Sequence, residues 1–234
     1  MNPNNLNLYI VDDDQPMRKS LGALFHARLD GIAVQSFESG EAFLENAHVD
    51  SSGVAILDLR LDDVSGQLGR MNGLEIFRAL KDRHSPLVVI FLSGHGTLPE
   101  AVKALQDGAV DWLQKPCSED AMLTTVQAAK NKAMVIAARR RAERNGREKW
   151  EKLTEREREI APLVAQGPTA KEIAQWLTRK DPDHPIDHRT VESHRARVFA
   201  KLEVANAPEL QRFLAEHAFV ITVGARLEMK LAAL

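Results

Sequence analysis

Five short apolar runs separated by stretches of helical periodicity leave this chain of 234 residues few folds to choose from. The runs are LNLYIV (6–11), IAVQSF (32–37), VAIL (54–57), LVVIFL (87–92) and VDWLQ (110–114), each of strand length. The stretches between them open as helices open. Asp14 is placed to cap QPMRKSLGALF, with Pro16 in the first turn, where a missing amide costs nothing. Thr97 and Glu100 have the spacing of a capping box ahead of AVKALQDG, which Gly108 ends. Strands alternating with helices predict an α/β domain, a doubly wound parallel sheet covered on both faces. Such sheets gather their chemistry at the carboxyl ends of the strands.

Those ends carry a distinctive set of side chains. Asp12 and Asp13 follow the first run, Asp58 ends the third, Ser93 the fourth and Lys115 the fifth. Clustered carboxylates repel one another. A hard divalent cation, Mg²⁺ before others, would offset their charge and accept an oxygen from a phosphoryl group. Lys115 would pair with the remaining phosphoryl charge, and Ser93 would donate a hydrogen bond to it. An acidic pair alone is weak evidence, because such residues also cap helices. Five functional groups at four strand ends are a far more specific pattern.

The net charge of −2 conceals a division: residues 1–120 hold 18 acidic against 10 basic side chains, and residues 121–234 hold 15 against 21. This predicts two domains with different partners, the basic one suited to nucleic acid. Helical periodicity runs from Ser118, Glu119 and Asp120 through AMLTTVQAAKNKAMVIAARRRAERNGREKW, with Gly146 the expected weak point. From Leu153 every element is short and helical. TERE (154–157) and TAKE (169–172) are capping boxes separated by Gly167, Asp187 caps HRTVESHRARVFAKL, and Asn206 precedes PELQRFLAEH. In the third of these helices Val191, Val198 and Leu202 form an apolar stripe, while Arg189, Glu192, Ser193, Arg195 and Arg197 take the other face. Such a helix suits a DNA major groove, although an exposed charged helix would present the same face.

The longest clean apolar run, LVVIFL, is too short to cross a bilayer, and no basic-then-apolar leader opens the chain. A single cysteine, Cys117, cannot form an internal disulfide, so a cytoplasmic setting without membrane contact is expected. Cys117 itself reads as a small buried hydrophobe.

Two sets of motifs carry a resemblance. VDDD after the first strand, LDLR around Asp58, LSGHG around Ser93 and the Lys115–Pro116 pair make residues 5–128 similar to a response-regulator receiver domain, the CheY-like fold with strand order 2-1-3-4-5. LTERERE, GPTAKEIAQWL, RTVESHRARVFAKL and NAPEL, over 153–214, are similar to a LuxR-type helix-turn-helix domain. Together they resemble a two-component response regulator of the FixJ/NarL type. The resemblance implies that Asp58 takes a phosphoryl group from the phosphohistidine of a sensor histidine kinase. By it, Asp12, Asp13, Asp58 and the backbone carbonyl of Arg60 hold Mg²⁺, Ser93 and Lys115 assist the transfer, and Ser93 and Trp112 form the switch. Phosphorylation would then promote a homodimer that binds double-stranded promoter DNA, with RNA polymerase a further partner. Lys171 and Lys201 would contact DNA phosphates, and Glu192, Ser193 and Arg197 base edges. Arg189, Thr190 and Arg195 complete the expected DNA-binding set. The chain is expected not to be an enzyme, acting only in its own phosphoryl transfer and slow autodephosphorylation. The expected organisation is a receiver at 5–128, a helical linker at 129–152, a smaller all-α helix-turn-helix domain at 153–218 and a helix-prone extension at 219–234.

Two segments depart from that pattern. After Asp58, LRLDDVSGQLGRMNGLEIF offers two versions of one loop motif, VSG and MNG, and is about seven residues longer than expected. TRKDPDHPIDH lengthens the turn before the recognition helix by about seven residues and holds two prolines that forbid helix continuation. His184 and His188, near Asp181 and Asp183, fit no strong metal-ligand spacing. Trp112 reads equally as a packing residue beside the sheet. A phosphatase of the haloacid-dehalogenase type would use the same aspartyl phosphate, with its nucleophile ending the first strand in Asp-x-Asp-x-Thr/Val. Pro16 stands where that Thr or Val belongs. A receiver feeding a protein-binding output is a third reading, and DNA affinity separates it from the first.

Overall fold

The computed structural model describes residues 6–61, 71–94 and 96–217. The chain divides into two compact units, Met1–Arg139 and Arg140–Leu234. In the first unit strands β1 (Leu6–Val11), β2 (Ile32–Phe37), β3 (Gly53–Asp58), β4 (Leu87–Ser93) and β5 (Asp111–Gln114) form one parallel sheet in the order β2-β1-β3-β4-β5. Between and after them run α1 (Gln15–Arg28), α2 (Gly40–Asn46), α3 (Gly73–Asp82), α4 (Leu98–Gln106) and α5 (Glu119–Glu151). This is the doubly wound α/β arrangement and strand order that the sequence leads one to expect.

The two-residue period of each strand sorts the core into two layers. Leu8, Ile10, Val54, Ile56 and Ile90 face Leu21 and Phe25 of α1 and Met122 and Val126 of α5. Tyr9, Val11, Ala55, Leu57 and Phe91 face Phe43 of α2, Ile76 and Phe77 of α3 and Ala104 of α4. Phe25, Phe43 and Phe91 are wholly enclosed, and burial of each contributes about 1.5–3 kcal/mol.

The helix starts obey their caps. The Asp14 carboxylate accepts the Met17 amide at 3.4 Å, and Asn72 with Glu75 closes a capping box that opens α3. The Glu100 carboxylate accepts both the amide and the hydroxyl of Thr97, at 2.8 and 2.7 Å. The Ser118 hydroxyl accepts the Ala121 amide at 3.2 Å ahead of α5, which continues unbroken through Gly146. The stretch expected as a linker is packed at both its ends. Ala129 and Ala133 are buried in the first unit's core, and Trp150 packs on the second's. Cys117 corrects its expectation: it is exposed, because it lies beyond the carboxyl end of β5, where the sheet no longer covers it.

In the second unit α6 (Glu155–Ala165), α7 (Ala170–Lys180), α8 (His188–Leu202) and α9 (Ala207–Glu216) surround a core that includes Ile160, Val164, Ile173, Leu177, Val191 and Val198. Capping boxes at Thr154/Glu157 and Thr169/Glu172 open α6 and α7, and Gly167, at φ 91°, turns the chain between them. Asp187 accepts the Thr190 amide at 2.7 Å to start α8. The lengthened turn from α7 to α8 is closed on one hydroxyl. Thr178 Oγ1 accepts the Ile186 amide at 3.2 Å and donates to the Ile186 carbonyl at 3.4 Å. The extension at 219–234 and the added loop residues 62–70 lie outside the described residues.

Candidate functional site

Strand register brings the sequence-predicted groups together. Val11 pairs with Leu57, Asp58 with Leu92, and Ser93 with Gln114, so Asp12, Asp58, Ser93 and Lys115 fall along one edge of the sheet. Asp12, Asp13 and Asp58 each offer a carboxylate oxygen, all within 4.8 Å of one another. The Lys115 ammonium bridges two of them, 2.7 Å from Asp12 Oδ2 and 2.6 Å from Asp58 Oδ2. The remaining oxygens of these two are held by the local backbone: Asp12 Oδ1 accepts the Asp14 amide at 2.9 Å, and Asp58 Oδ1 accepts the Arg60 amide at 3.2 Å.

The electrostatics follow from two buried carboxylates sharing one ammonium. Burial pushes the Asp58 carboxyl above its ordinary value, with Asp12 adding to the effect and Lys115 opposing it. Burial works against the Lys115 ammonium as well, but its bonds to Asp12 and Asp58 outweigh that and hold it above its ordinary value. Lys115 therefore stays protonated, and the cluster keeps an excess of negative charge that a cation would relieve. The oxygen-only donor set fits a hard divalent ion such as Mg²⁺. Among the described residues this is the one group of three or more acidic, histidine or cysteine side chains gathered closely enough to hold a metal. The Asp181, Asp183, His184 and His188 set forms no such group.

Ser93 is fully buried at the end of β4. Trp112 is half-buried, with its ring centroid 5.2 Å from that of Phe91. A Cβ on Gly96 would lie 2.1 Å from Trp112 Cζ2, so the indole lies directly on the β4–α4 connection. The packing and switch readings of Trp112 thus describe one location. Two further residues join the site by their geometry. A Cβ on Gly73 would lie 2.2 Å from the Asp58 carbonyl oxygen, so the glycine of MNG packs on the acidic strand end; VSG lies outside the described residues. Arg18 Nη1 donates to the carbonyls of Asp12 and Asp13 at 2.7 and 2.9 Å. A basic residue in the first turns of a helix does not announce that role.

On the second unit, Arg189, Thr190, Glu192, Ser193 and Arg197 are exposed along α8, and Lys171 is exposed in the first turn of α7. Val191, Val198 and Leu202 are buried, as their spacing predicts. Arg195 is half-buried, 3.6 Å from Glu192 and 5.4 Å over the Phe199 ring. Lys201 is half-buried too, and its ammonium pairs with Glu157 at 2.6 Å. His194 turns inward. Burial, then the nearby Arg197, depresses its pKa, and its Nδ1 has no hydrogen-bond partner among the described residues.

Comparison with known proteins agrees with this geometry. Residues 8–127 match the response regulator receiver domain, and residues 151–214 match the bacterial regulatory proteins of the luxR family. The chain is 36% identical over 205 residues to the transcriptional regulatory protein FixJ of Rhizobium meliloti, covering 88% of this chain and 93% of that one. It is 35% identical over 205 residues to the tetrathionate response regulatory protein TtrR of Salmonella typhimurium, covering 88% and 90%. Among solved structures it is similar to the response regulator StyR, with a TM-score of 0.77 at 26% identity over 91% of this chain and 99% of that one. Full-length FixJ from B. japonicum matches at 29% identity with a TM-score of 0.50, over 91% and 97%. The chain belongs to the FixJ-type response regulators, phosphorylatable transcriptional regulators in which a receiver domain precedes a LuxR-type helix-turn-helix domain.

Proposed function

We propose that Asp58 is the phosphoacceptor, that its donor is the phosphohistidine of a sensor kinase, and that the modified protein dimerises on promoter DNA in the cytoplasm. The observation that carries this reading is the Lys115 ammonium bridging Asp12 and Asp58 at the edge where three carboxylates meet. An Asp58 oxygen attacks phosphorus, the phosphorus–nitrogen bond to the kinase histidine breaks, and the imidazole leaves with the bonding pair. Lys115 is within reach of the new phosphoryl oxygens, and Ser93 donates to one of them. Asp12, Asp13, Asp58 and the Arg60 carbonyl would hold Mg²⁺, which when bound supplies positive charge against the phosphoryl oxygens. Slow hydrolysis of the acyl phosphate is the only turnover expected, so the protein is a signalling acceptor rather than an enzyme. Ser93 and Trp112 relay the modified state.

The dimer reading is supported by Leu98, Val102 and Leu105, which lie exposed along one face of α4. Arg189, Thr190, Glu192, Ser193, Arg195 and Arg197 would meet DNA along α8, with Lys171 on a phosphate. Lys201 keeps a place in that set with its ammonium already paired to Glu157. RNA polymerase would be met at the promoter. Phosphoacceptance then belongs to 5–128 and DNA binding to 153–218, joined through 129–152.

The test is labelling by a small acyl-phosphate donor with Mg²⁺ or with EDTA. Wild-type protein is expected to label only with Mg²⁺, and Asp58→Asn not at all. Equal labelling of Asp58→Asn at another residue would overturn the assignment. Labelled protein should also gain mass in sedimentation and bind a selected DNA site more tightly.

A further inference from the structure

We infer that Arg18 is a positioning residue for the carboxylates of Asp12 and Asp13, an inference that rests on the phosphoacceptor reading above. The strand pairing of β1 ends at Val11, so the path of residues 12–14 is set by contacts of the turn itself. Three of its contacts bear on the two carboxylates. The Asp12 amide donates to the Phe37 carbonyl at 3.2 Å, and the Asp14 amide donates to Asp12 Oδ1 at 2.9 Å. The third is the Arg18 guanidinium, which reaches back from α1 to the carbonyls of both Asp12 and Asp13 at 2.7 and 2.9 Å. Its side chain is 12% exposed, so water competes little for these bonds. Fixing both carbonyls fixes the two peptide planes, and with them the directions in which the two carboxylates leave the chain. Glu38 lies 3.9 Å away but is 71% exposed, and contributes little to holding the guanidinium.

Charge and geometry make opposite demands here. A guanidinium beside a cation site repels a divalent ion, so deleting its charge alone would tighten Mg²⁺ binding. Deleting a positioning group would loosen it, as removing the partners that orient metal ligands does, by roughly tenfold or more. The sign of the effect separates the two roles.

The experiment is a calorimetric Mg²⁺ titration of the full chain as wild type, Arg18→Met and Arg18→Lys, with melting of each in EDTA. Arg18→Met is expected to weaken Mg²⁺ binding roughly tenfold, and Arg18→Lys, which keeps the charge and part of the reach, by less. Unchanged or tighter binding by Arg18→Met overturns the inference, as does a lowered melting temperature with unchanged affinity, which is the mark of a purely structural residue. If Arg18→Met does not fold, Arg18→Lys is judged by the same criterion. If wild-type protein takes up no Mg²⁺ at all, the metal-site part of the phosphoacceptor reading fails and this inference falls with it. If the wild type binds and Arg18→Met binds as well, only the inference falls.

Discussion

Lys201 and Thr154 converge on one oxygen of Glu157: its Oε2 accepts from Lys201 Nζ at 2.6 Å and from the Thr154 amide at 2.8 Å. The carboxylate is 2% exposed, and its two donors tie the end of α8 to the first turn of α6. A lysine that the sequence places among DNA contacts therefore also anchors the end of α8 to α6.

Lys201→Met should leave a buried carboxylate short of one donor. We expect the second unit to lose about 1–3 kcal/mol, at the low end because Lys201 is itself one-third exposed. Urea unfolding followed by the fluorescence of Trp150 and Trp176, both packed on this core, measures it. A midpoint equal to wild type, with weaker DNA binding, would make Lys201 a DNA contact and nothing more.

Asp58 makes stability depend on pH with a defined sign. Burial raises its folded pKa above the ordinary 3.8, so folding favours the protonated carboxyl and ionisation costs stability. That stabilisation of the folded state is complete below 3.8 and is lost as pH rises through the folded pKa. In EDTA, Asp58→Asn should therefore melt above wild type at pH 7. The gap should narrow as pH falls through the folded pKa, and vanish below 3.8. Melting curves of both proteins across that range check it. An equal gap at every pH would mean that the variant acts through packing.

Much of this architecture is legible residue by residue, because caps, strand periods and charges at strand ends are local signals. Asp14, Thr97, Thr154, Thr169 and Asp187 start helices where short-range hydrogen bonding demands it. What the sequence hides depends on contacts remote along the chain or on backbone atoms. Glu157 meets Lys201 across 44 residues, and Arg18 acts on carbonyls that every residue possesses. Likewise the close approach of Gly73 to the Asp58 carbonyl is a backbone contact that the string MNG does not spell out. Cys117 is exposed against expectation because burial follows from the sheet's edge, which one short strand does not reveal.

Gly73→Ala follows from that close approach. The added methyl would meet backbone 2.2 Å away, so α3 or the Asp58 peptide must shift. Overpacking of this kind costs about 1–3 kcal/mol, and it should slow labelling of Asp58 at fixed Mg²⁺. Gly22→Ala, in the interior of α1 with nothing within 4 Å, is the control: it should raise stability by about 0.5–1 kcal/mol and leave labelling unchanged.

The recognition helix allows reading of bases to be separated from holding of phosphates. Arg197 is exposed on α8, one turn beyond Ser193, while its neighbour Val198 is buried. A guanidinium so placed suits the two acceptors of a guanine edge. Arg197→Ala should then cost roughly 1–3 kcal/mol on the matched site and relax preference at one position per half-site. Lys171, exposed at the start of α7, is suited to a phosphate instead. Lys171→Ala should weaken matched and scrambled DNA alike, and reduce the salt slope by about one unit for each phosphate that is no longer neutralised. Titrations of both variants against both DNAs at several salt concentrations distinguish the roles. The turn closed by Thr178 and Ile186 sets where α8 begins, so a shifted helix would move the base contact along α8 without changing this logic. If Arg197→Ala lowers affinity for both DNAs equally and flattens the salt slope, Arg197 holds the backbone, and the base-reading residue must be sought at Glu192 or Ser193.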